Sequence, residues 1–304
     1  MSMPVQWEGV YPALLTPFTA DDRLDLALFE KNLHAQIDAG VHGLIIGGSL
    51  GEASTLTRPE KLDLLECGLD VSAGRVPVIM NVVEQATREA VACAREAEAA
   101  GAHGLMLLPP MRYFADSRET VTFFRTVAES TSLPVMIYNN PVDYKIMTTI
   151  AMFEQLAELP NIQAVKESTR DVTNIVRMRN AFGDRFKILN GVDTLALEAL
   201  AVGADGWVAG LVDAFPAETV ALYDMMKAGQ LEAARALYGW FMPLLELDIL
   251  PKLVQYIKLA ATATEIGSEY VRAPRLVLEG EERERVWAII QKQLAVRPNL
   301  TVAQ

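Results

Sequence analysis

The 304-residue sequence predicts a (β/α)8 barrel, the TIM fold, with a helical extension at its C-terminal end. Three observations point there. Short apolar runs alternate with longer amphipathic stretches, giving eight strand-then-helix units. The runs are apolar almost throughout, as strands covered on both faces must be. Helices stop at a recurring Gly-x-x-Gly joint after which the next strand begins: Ala39-Gly40-Val41-His42-Gly43, Ala100-Gly101-Ala102-His103-Gly104 and Val202-Gly203-Ala204-Asp205-Gly206. A doubly wound open sheet gives the same alternation, but eight units in this length favour closure.

In chain order the expected strands are Val10–Leu15, Gly43–Gly47, Val76–Val82, Gly104–Leu108, Val135–Asn139, Ile162–Lys166, Lys187–Asn190 and Gly206–Ala209. The first expected helix, Asp25–Ala39, carries Leu26, Phe29, Leu33 and Ile37 at helical spacing. Arg58–Ser72 follows, opened by Thr57 as N-cap with Pro59 in the first turn. Ala86–Ala100, Ser117–Ser130, Thr148–Leu159, Asp171–Phe182 and Thr194–Val202 complete the alternation. Beyond the eighth strand come Pro216–Ala228, Leu231–Leu247, Pro251–Thr264 and Glu281–Leu294, more helix than barrel closure requires. Residues 1–215 are therefore expected to form the barrel core. Residues 216–304 are expected to form its last helix and a helical extension of the same structural unit, since no low-complexity linker intervenes.

Composition narrows the function. The chain is 51% hydrophobic and 22% charged, ordinary for a globular enzyme, with a formal net charge of −12. Such a surface repels phosphate backbones, which argues against a nucleic-acid partner. No basic segment followed by an apolar run opens the chain, and no apolar run approaches membrane-spanning length, so a cytoplasmic protein with no membrane partner is expected. Cys67 and Cys93 fall in helical patterns and read as core thiols. His34, His42 and His103 show no ligand spacing; His42 and His103 read as structural, and no metal is expected.

In such barrels chemistry collects at the C-terminal ends of the strands. The sixth strand ends Val165-Lys166-Glu167-Ser168. An ammonium at the end of a buried strand is costly unless paired or neutral. Its position alone leaves Lys166 open between a rim lysine and a nucleophilic amine with depressed pKa. Tyr138, ending the fifth strand in Tyr138-Asn139-Asn140-Pro141, is either a proton relay or a packed phenol with its hydroxyl at the wet end. Gly47-Gly48-Ser49-Leu50-Gly51-Glu52 is either a tight turn or a place where backbone amides converge on a carboxylate. No nucleotide-binding glycine pattern is present.

Taken together, Ala13-Leu14-Leu15-Thr16-Pro17-Phe18, Gly48-Ser49-Leu50-Gly51-Glu52, Tyr138-Asn139-Asn140-Pro141, Val165-Lys166-Glu167-Ser168 and Asn190-Gly191-Val192-Asp193 resemble the dihydrodipicolinate synthase / N-acetylneuraminate lyase family along nearly the whole chain. The resemblance implies Lys166 as Schiff-base lysine, Tyr138 as proton relay, and Ser49 as the hydroxyl linking that tyrosine to the carboxylate site. It implies a substrate carboxylate on the Ser49 and Leu50 amides, contacts from Ser168 and Gly191, and a substrate hydroxyl on Asp193. Gly48 and Val208 complete the expected contact set. No dissociable cofactor is implied, and the expected assembly is a homotetramer built from tight dimers.

The departures from the family pattern bear on the substrate. Synthases of the family carry Arg two residues after the proline of the fifth-strand motif, where this chain has Asp143. Two adjacent threonines become Ser49 and Leu50, and paired tyrosines after the fourth strand are replaced in Pro109-Pro110-Met111-Arg112-Tyr113. Tyr113 is the candidate to stand in for one of them, reaching a neighbouring subunit's site. Gly206–Val212, Leu253–Ala260 and Arg272-Ala273-Pro274-Arg275 are similar to the branch that deaminates Δ1-pyrroline-4-hydroxy-2-carboxylate. The expected function is thus a Schiff-base lyase and deaminase turning that cyclic imine into 2,5-dioxopentanoate and ammonia. A dehydratase or aldolase of 2-keto-3-deoxy sugar acids is the alternative within the fold. A catalytically silent barrel that binds a keto acid is the alternative outside enzymology.

Overall fold

The computed structural model describes residues 3–110 and 112–300. Met1, Ser2 and Met111 therefore lie outside the described residues. The elements run β1 (Gly9–Pro12), α1 (Leu26–Asp38), β2 (Leu44–Ile46), α2 (Arg58–Ser72), β3 (Val78–Val82), α3 (Thr87–Ala99), β4 (Gly104–Leu107), α4 (Ser117–Ala128), β5 (Val135–Asn139), α5 (Pro141–Tyr144), α6 (Ile150–Leu156), β6 (Ile162–Glu167), α7 (Thr173–Phe182), β7 (Lys187–Asn190), α8 (Ala196–Ala201), β8 (Gly206–Ala209), α9 (Pro216–Lys227), α10 (Leu231–Leu245), α11 (Leu253–Ala263) and α12 (Gly280–Ala295). All eight strands are parallel, in the order β1-β8-β7-β6-β5-β4-β3-β2. The gap between β1 and β2 is bridged by a parallel contact of Ala13 with Ile45 and by the Leu14 amide donating to the Ile45 carbonyl at 2.9 Å. The result is the (β/α)8 barrel that the alternation predicts.

The helix ends follow from local chemistry. Thr57 and Glu60 form a capping box that starts α2, and Asp116 and Glu119 do the same for α4. The joint glycines Gly40, Gly101 and Gly203 all take positive φ, the conformation that ends a helix without a Cβ penalty. The residue two places after each of these glycines then locks the barrel floor. The His42 Nδ1 accepts from the Val10 amide at 3.1 Å, the His103 Nδ1 from the Val78 amide at 3.0 Å, and the Asp205 carboxylate from the Ile188 amide at 2.7 Å. In each case the joint residue's own amide donates back to the same strand residue's carbonyl. Both histidines are structural, as their position before a strand suggests. Burial pushes the Cys67 and Cys93 thiols up to about 11, so neither is a thiolate at neutral pH.

After β8 the chain forms the helical extension. Pro243 removes an amide from the last turns of α10, and the chain tightens into a 3₁₀ turn at Glu246–Ile249 before α11. That turn carries Asp248 to the barrel mouth, and α11 carries Lys258 into the interior. No helix among the described residues is long and apolar enough to cross a membrane.

Candidate active site

At the C-terminal end of the barrel a small cavity of about 100 Å³ is lined by strand ends, the turn after β2, the loop after β5 and the extension. Its size suits a small metabolite rather than a nucleotide or polymer. Strand periodicity explains which side chains reach it. Along β6 alternate residues face inward, so Lys166 and Ser168 line the cavity. Glu167 faces away and is held by Asn139, Asn174 and the Thr169 amide.

Lys166 is paired in register with Tyr138 on the adjacent strand, which places its Nζ 4.1 Å from the centre of the tyrosine ring. It is 6% exposed. Among the described residues its amine makes no hydrogen bond or ion pair. Burial lowers its pKa to about 8, against the opposing pull of the Asp248, Asp193 and Asp143 carboxylates. About a tenth is therefore free amine at pH 7, and that is the form that attacks a carbonyl or imine carbon. Gly191 faces this side chain. A Cβ there would lie 2.7 Å from Lys166 Cε and 2.1 Å from Ser168 Oγ, so only glycine leaves the lysine room.

Burial pushes the Tyr138 phenol up to about 12. Its oxygen accepts from Asn140 Nδ2 at 3.2 Å, which leaves its own proton free to donate. The expected link from Ser49 to Tyr138 is not formed. The Ser49 hydroxyl instead shares a 2.5 Å hydrogen bond with the hydroxyl of Tyr144, whose ring packs edge-on against Tyr138 with centroids 5.4 Å apart. Tyr144 comes from α5, a single turn that starts at Pro141 and is capped by the Asn140 side chain accepting from the Asp143 amide at 3.2 Å. The backbone amides of Ser49 and Leu50 have no acceptor among the described residues. Adjacent backbone amides of this kind can donate together to a carboxylate.

Gly48, Ser49, Leu50, Tyr138, Lys166, Ser168, Gly191 and Val208 all line the one cavity. Two expected residues do not. Asp193 is fully buried beneath it, with its carboxylate accepting from Trp207 Nε1 at 2.9 Å, the Leu211 amide at 2.8 Å and the Gly210 amide at 3.1 Å. Its acceptor capacity is spent on the β8 turn, so it does not take a substrate hydroxyl. Tyr113 is 62% exposed on the outer surface, donating to Glu119 at 3.0 Å, and contributes nothing to its own chain's cavity.

Among the polar lining residues, sequence reading missed Asn81, Tyr144, Arg170 and Asp248. Asn81 is buried with neither side-chain atom partnered, and so is the Ser168 hydroxyl. A lone amide in the apolar run of β3 was the available signal for Asn81. Tyr144 and Asp248 gave no local signal. The structure also gives roles to Glu52 and Lys258. They form a buried ion pair at 2.6 Å, and Glu52 also accepts from the Arg272 amide at 3.1 Å, tying the turn after β2 to the extension.

Residues 6–293 match the profile of the Dihydrodipicolinate synthetase family. The chain belongs to that family. It is 36% identical to a 4-hydroxy-tetrahydrodipicolinate synthase of Exiguobacterium sibiricum over 90% of this chain and 92% of that one. It is 32% identical to the enzyme of the same name from Acidiphilium cryptum over 88% and 92%. Among solved structures, a dihydrodipicolinate synthase from Bacillus anthracis superimposes with a TM-score of 0.91 at 28% identity, covering 94% of this chain and 98% of that one. Members of the family are lyases that form a Schiff base with small keto acids through a lysine, without a metal or other cofactor. This chain is a Schiff-base lyase of that family.

Proposed function

We propose that this family member deaminates 1-pyrroline-4-hydroxy-2-carboxylate to 2,5-dioxopentanoate and ammonia. The observation that carries the reading is Asp143. At the mouth, where synthases of the family place an arginine for the second substrate's carboxylate, this chain presents a carboxylate fixed by Asn140 at 2.7 Å. A second acid, Asp248, lines the same cavity. The Asp143 carboxylate disfavours an acidic aldehyde as co-substrate at its edge of the mouth, where Arg170 is the one cationic side chain besides Lys166 among the lining residues. The relatives named as synthases favour the other reading, pyruvate plus aspartate semialdehyde.

In the proposed reaction the substrate carboxylate sits on the Ser49 and Leu50 amides. The neutral Lys166 amine adds to C2. The C2–N bond of the ring breaks, leaving a lysine-linked iminium and an amine on C5. Loss of a C3 proton gives an enamine, with the iminium as electron sink. The enamine expels the C4 hydroxyl as water, and Tyr138 donates the proton that makes it a leaving group. Tautomerisation converts the C5 amine to an imine. Hydrolysis of that imine gives ammonia, and hydrolysis of the lysine linkage gives the product, so one water is consumed overall. Ser49 and Tyr144 hold the tyrosine edge of the site. A homotetramer of tight dimers fits the exposed Tyr113 and Phe114, which are 62% and 68% accessible in one chain.

The test is an assay of ammonia and semialdehyde release from the pyrroline, run beside condensation of pyruvate with aspartate semialdehyde. Turnover of the pyrroline alone supports the reading; condensation alone removes it.

A further inference from the structure

We propose that Asp248, supplied by the segment after the barrel, is the group that takes and returns the C3 proton of the adduct on Lys166. The proposal rests on the Schiff-base reading of Lys166 and not on which keto acid or imine is the substrate.

Three observations carry it. Asp248 lines the cavity from above β8, whereas Tyr138 lines it from β5 across the barrel, so the two groups flank Lys166 from different walls. The fold also makes room for this carboxyl: a Cβ on Gly210 would come within 2.3 Å of Asp248 Oδ1. Finally, Asp248 makes no hydrogen bond or ion pair among the described residues. The two other enclosed acids nearby are both engaged by backbone amides. Asp193 has the donors already described, and Asp213 accepts from the Leu15 amide at 2.9 Å. Asp213 keeps its other oxygen unpartnered but does not line the cavity, so Asp248 is the unpartnered acid of these three that reaches it.

Its electrostatics suit a proton carrier. Burial, reinforced by Asp193, holds the carboxyl well above the usual range, and Lys166 opposes that shift. The proposed reaction starts from a protonated Asp248 beside a neutral Lys166 amine. When the tetrahedral adduct collapses, the departing oxygen or ring nitrogen at C2 takes that proton. The iminium that results is a fixed positive charge facing a fresh carboxylate. The carboxylate then accepts the C3 proton: the C3–H electrons form the C2–C3 double bond, and the iminium electrons return to the lysine nitrogen. One carboxyl serves as acid in the first step and base in the second, and no outside reagent is needed.

The test uses pyruvate in deuterium oxide with the full-length protein. Methyl exchange is followed by proton NMR, and Lys166 adduct is trapped with borohydride after equilibration and weighed by mass spectrometry. Asp248→Asn should retain the trapped adduct and lose methyl exchange by about 10²- to 10⁴-fold. Gly210→Ala, which presses a methyl onto the carboxyl, should lower exchange with adduct retained and serves if the asparagine variant does not fold. Exchange by Asp248→Asn within threefold of wild type overturns the proposal, as does a wild type that forms adduct without exchange. No adduct in wild type removes the Schiff-base reading and this proposal together. A wild type that exchanges pyruvate protons through Asp248 yet releases no ammonia from the pyrroline supports Asp248 and removes only the deaminase reading.

Discussion

The molecule buries two lysines in similar surroundings and treats them differently. Lys166 and Lys258 are both nearly inaccessible, both lie over an aromatic ring, and burial draws both to about 8. Lys258 nevertheless has a carboxylate at 2.6 Å and the Tyr270 carbonyl at 2.5 Å, which satisfy its ammonium. Lys166 has neither, only carboxylates at longer range across a cavity. Burial alone therefore does not make a reactive amine. What distinguishes the two is the withholding of a direct partner on the side where a carbonyl carbon can approach.

The contrast can be broken in order of expected effect. Lys166→Ala should abolish the borohydride-trapped adduct while leaving the circular dichroism spectrum intact; adduct at another lysine, Lys258 included, would overturn the assignment. Tyr138→Phe keeps the ring beneath the amine and removes only the hydroxyl. It should lower kcat by about 10²- to 10³-fold with adduct still trappable. If the rate is unchanged, the ring rather than the proton matters. Lys258→Met should leave adduct formation in place but destabilise the protein in denaturant unfolding, by less than the about 3–5 kcal/mol of a fully unpaired buried charge, because Glu52 loses its closest partner and keeps Arg275 at 3.6 Å. Adding Glu52→Gln should recover part of that loss, and a double-mutant cycle measures the coupling. The pH dependence is the mildest probe. Only the free amine attacks, so the rate of adduct formation should rise about tenfold per unit below pH 8 and level off above it, with the bend near the Lys166 value of about 8. A profile flat from pH 6 to 9 would show that the amine is not titrating there.

What the sequence disclosed follows the same division. Strands buried on both faces announce themselves as apolar runs, and the joint glycines mark their beginnings, so element order and most boundaries were readable. Lys166 and Tyr138 stood out as polar residues at strand ends and Ser49 in the turn after one, but position left the role of each open, and it was the family resemblance that singled them out. Asp193 misled because an acid after a strand end looks the same whether it faces a ligand or a neighbouring turn's amides. Asp248 left no local trace. It sits in an irregular turn after a proline-bearing helix, and its relation to Gly210 exists only once the extension folds back over the barrel. Tyr144 was hidden by a one-turn helix too short to show periodicity.

The joint residues on the barrel floor give the fold an uneven response to acid. Val10 and Val78 each donate to an imidazole Nδ1, which must stay unprotonated to accept, and burial lowers both histidine pKa values. The unfolded chain takes up these protons first, so both clasps weaken as pH falls below the ordinary histidine value near 6.5. The third joint carries no imidazole: there Asp205 accepts from Ile188 and also binds Arg179. Mild acid should therefore open the β1 and β3 seams before the β7 seam. Amide hydrogen exchange at pH 5 should show Val10 and Val78 losing protection ahead of Ile188, and simultaneous loss would mean that the floor gives way as one piece.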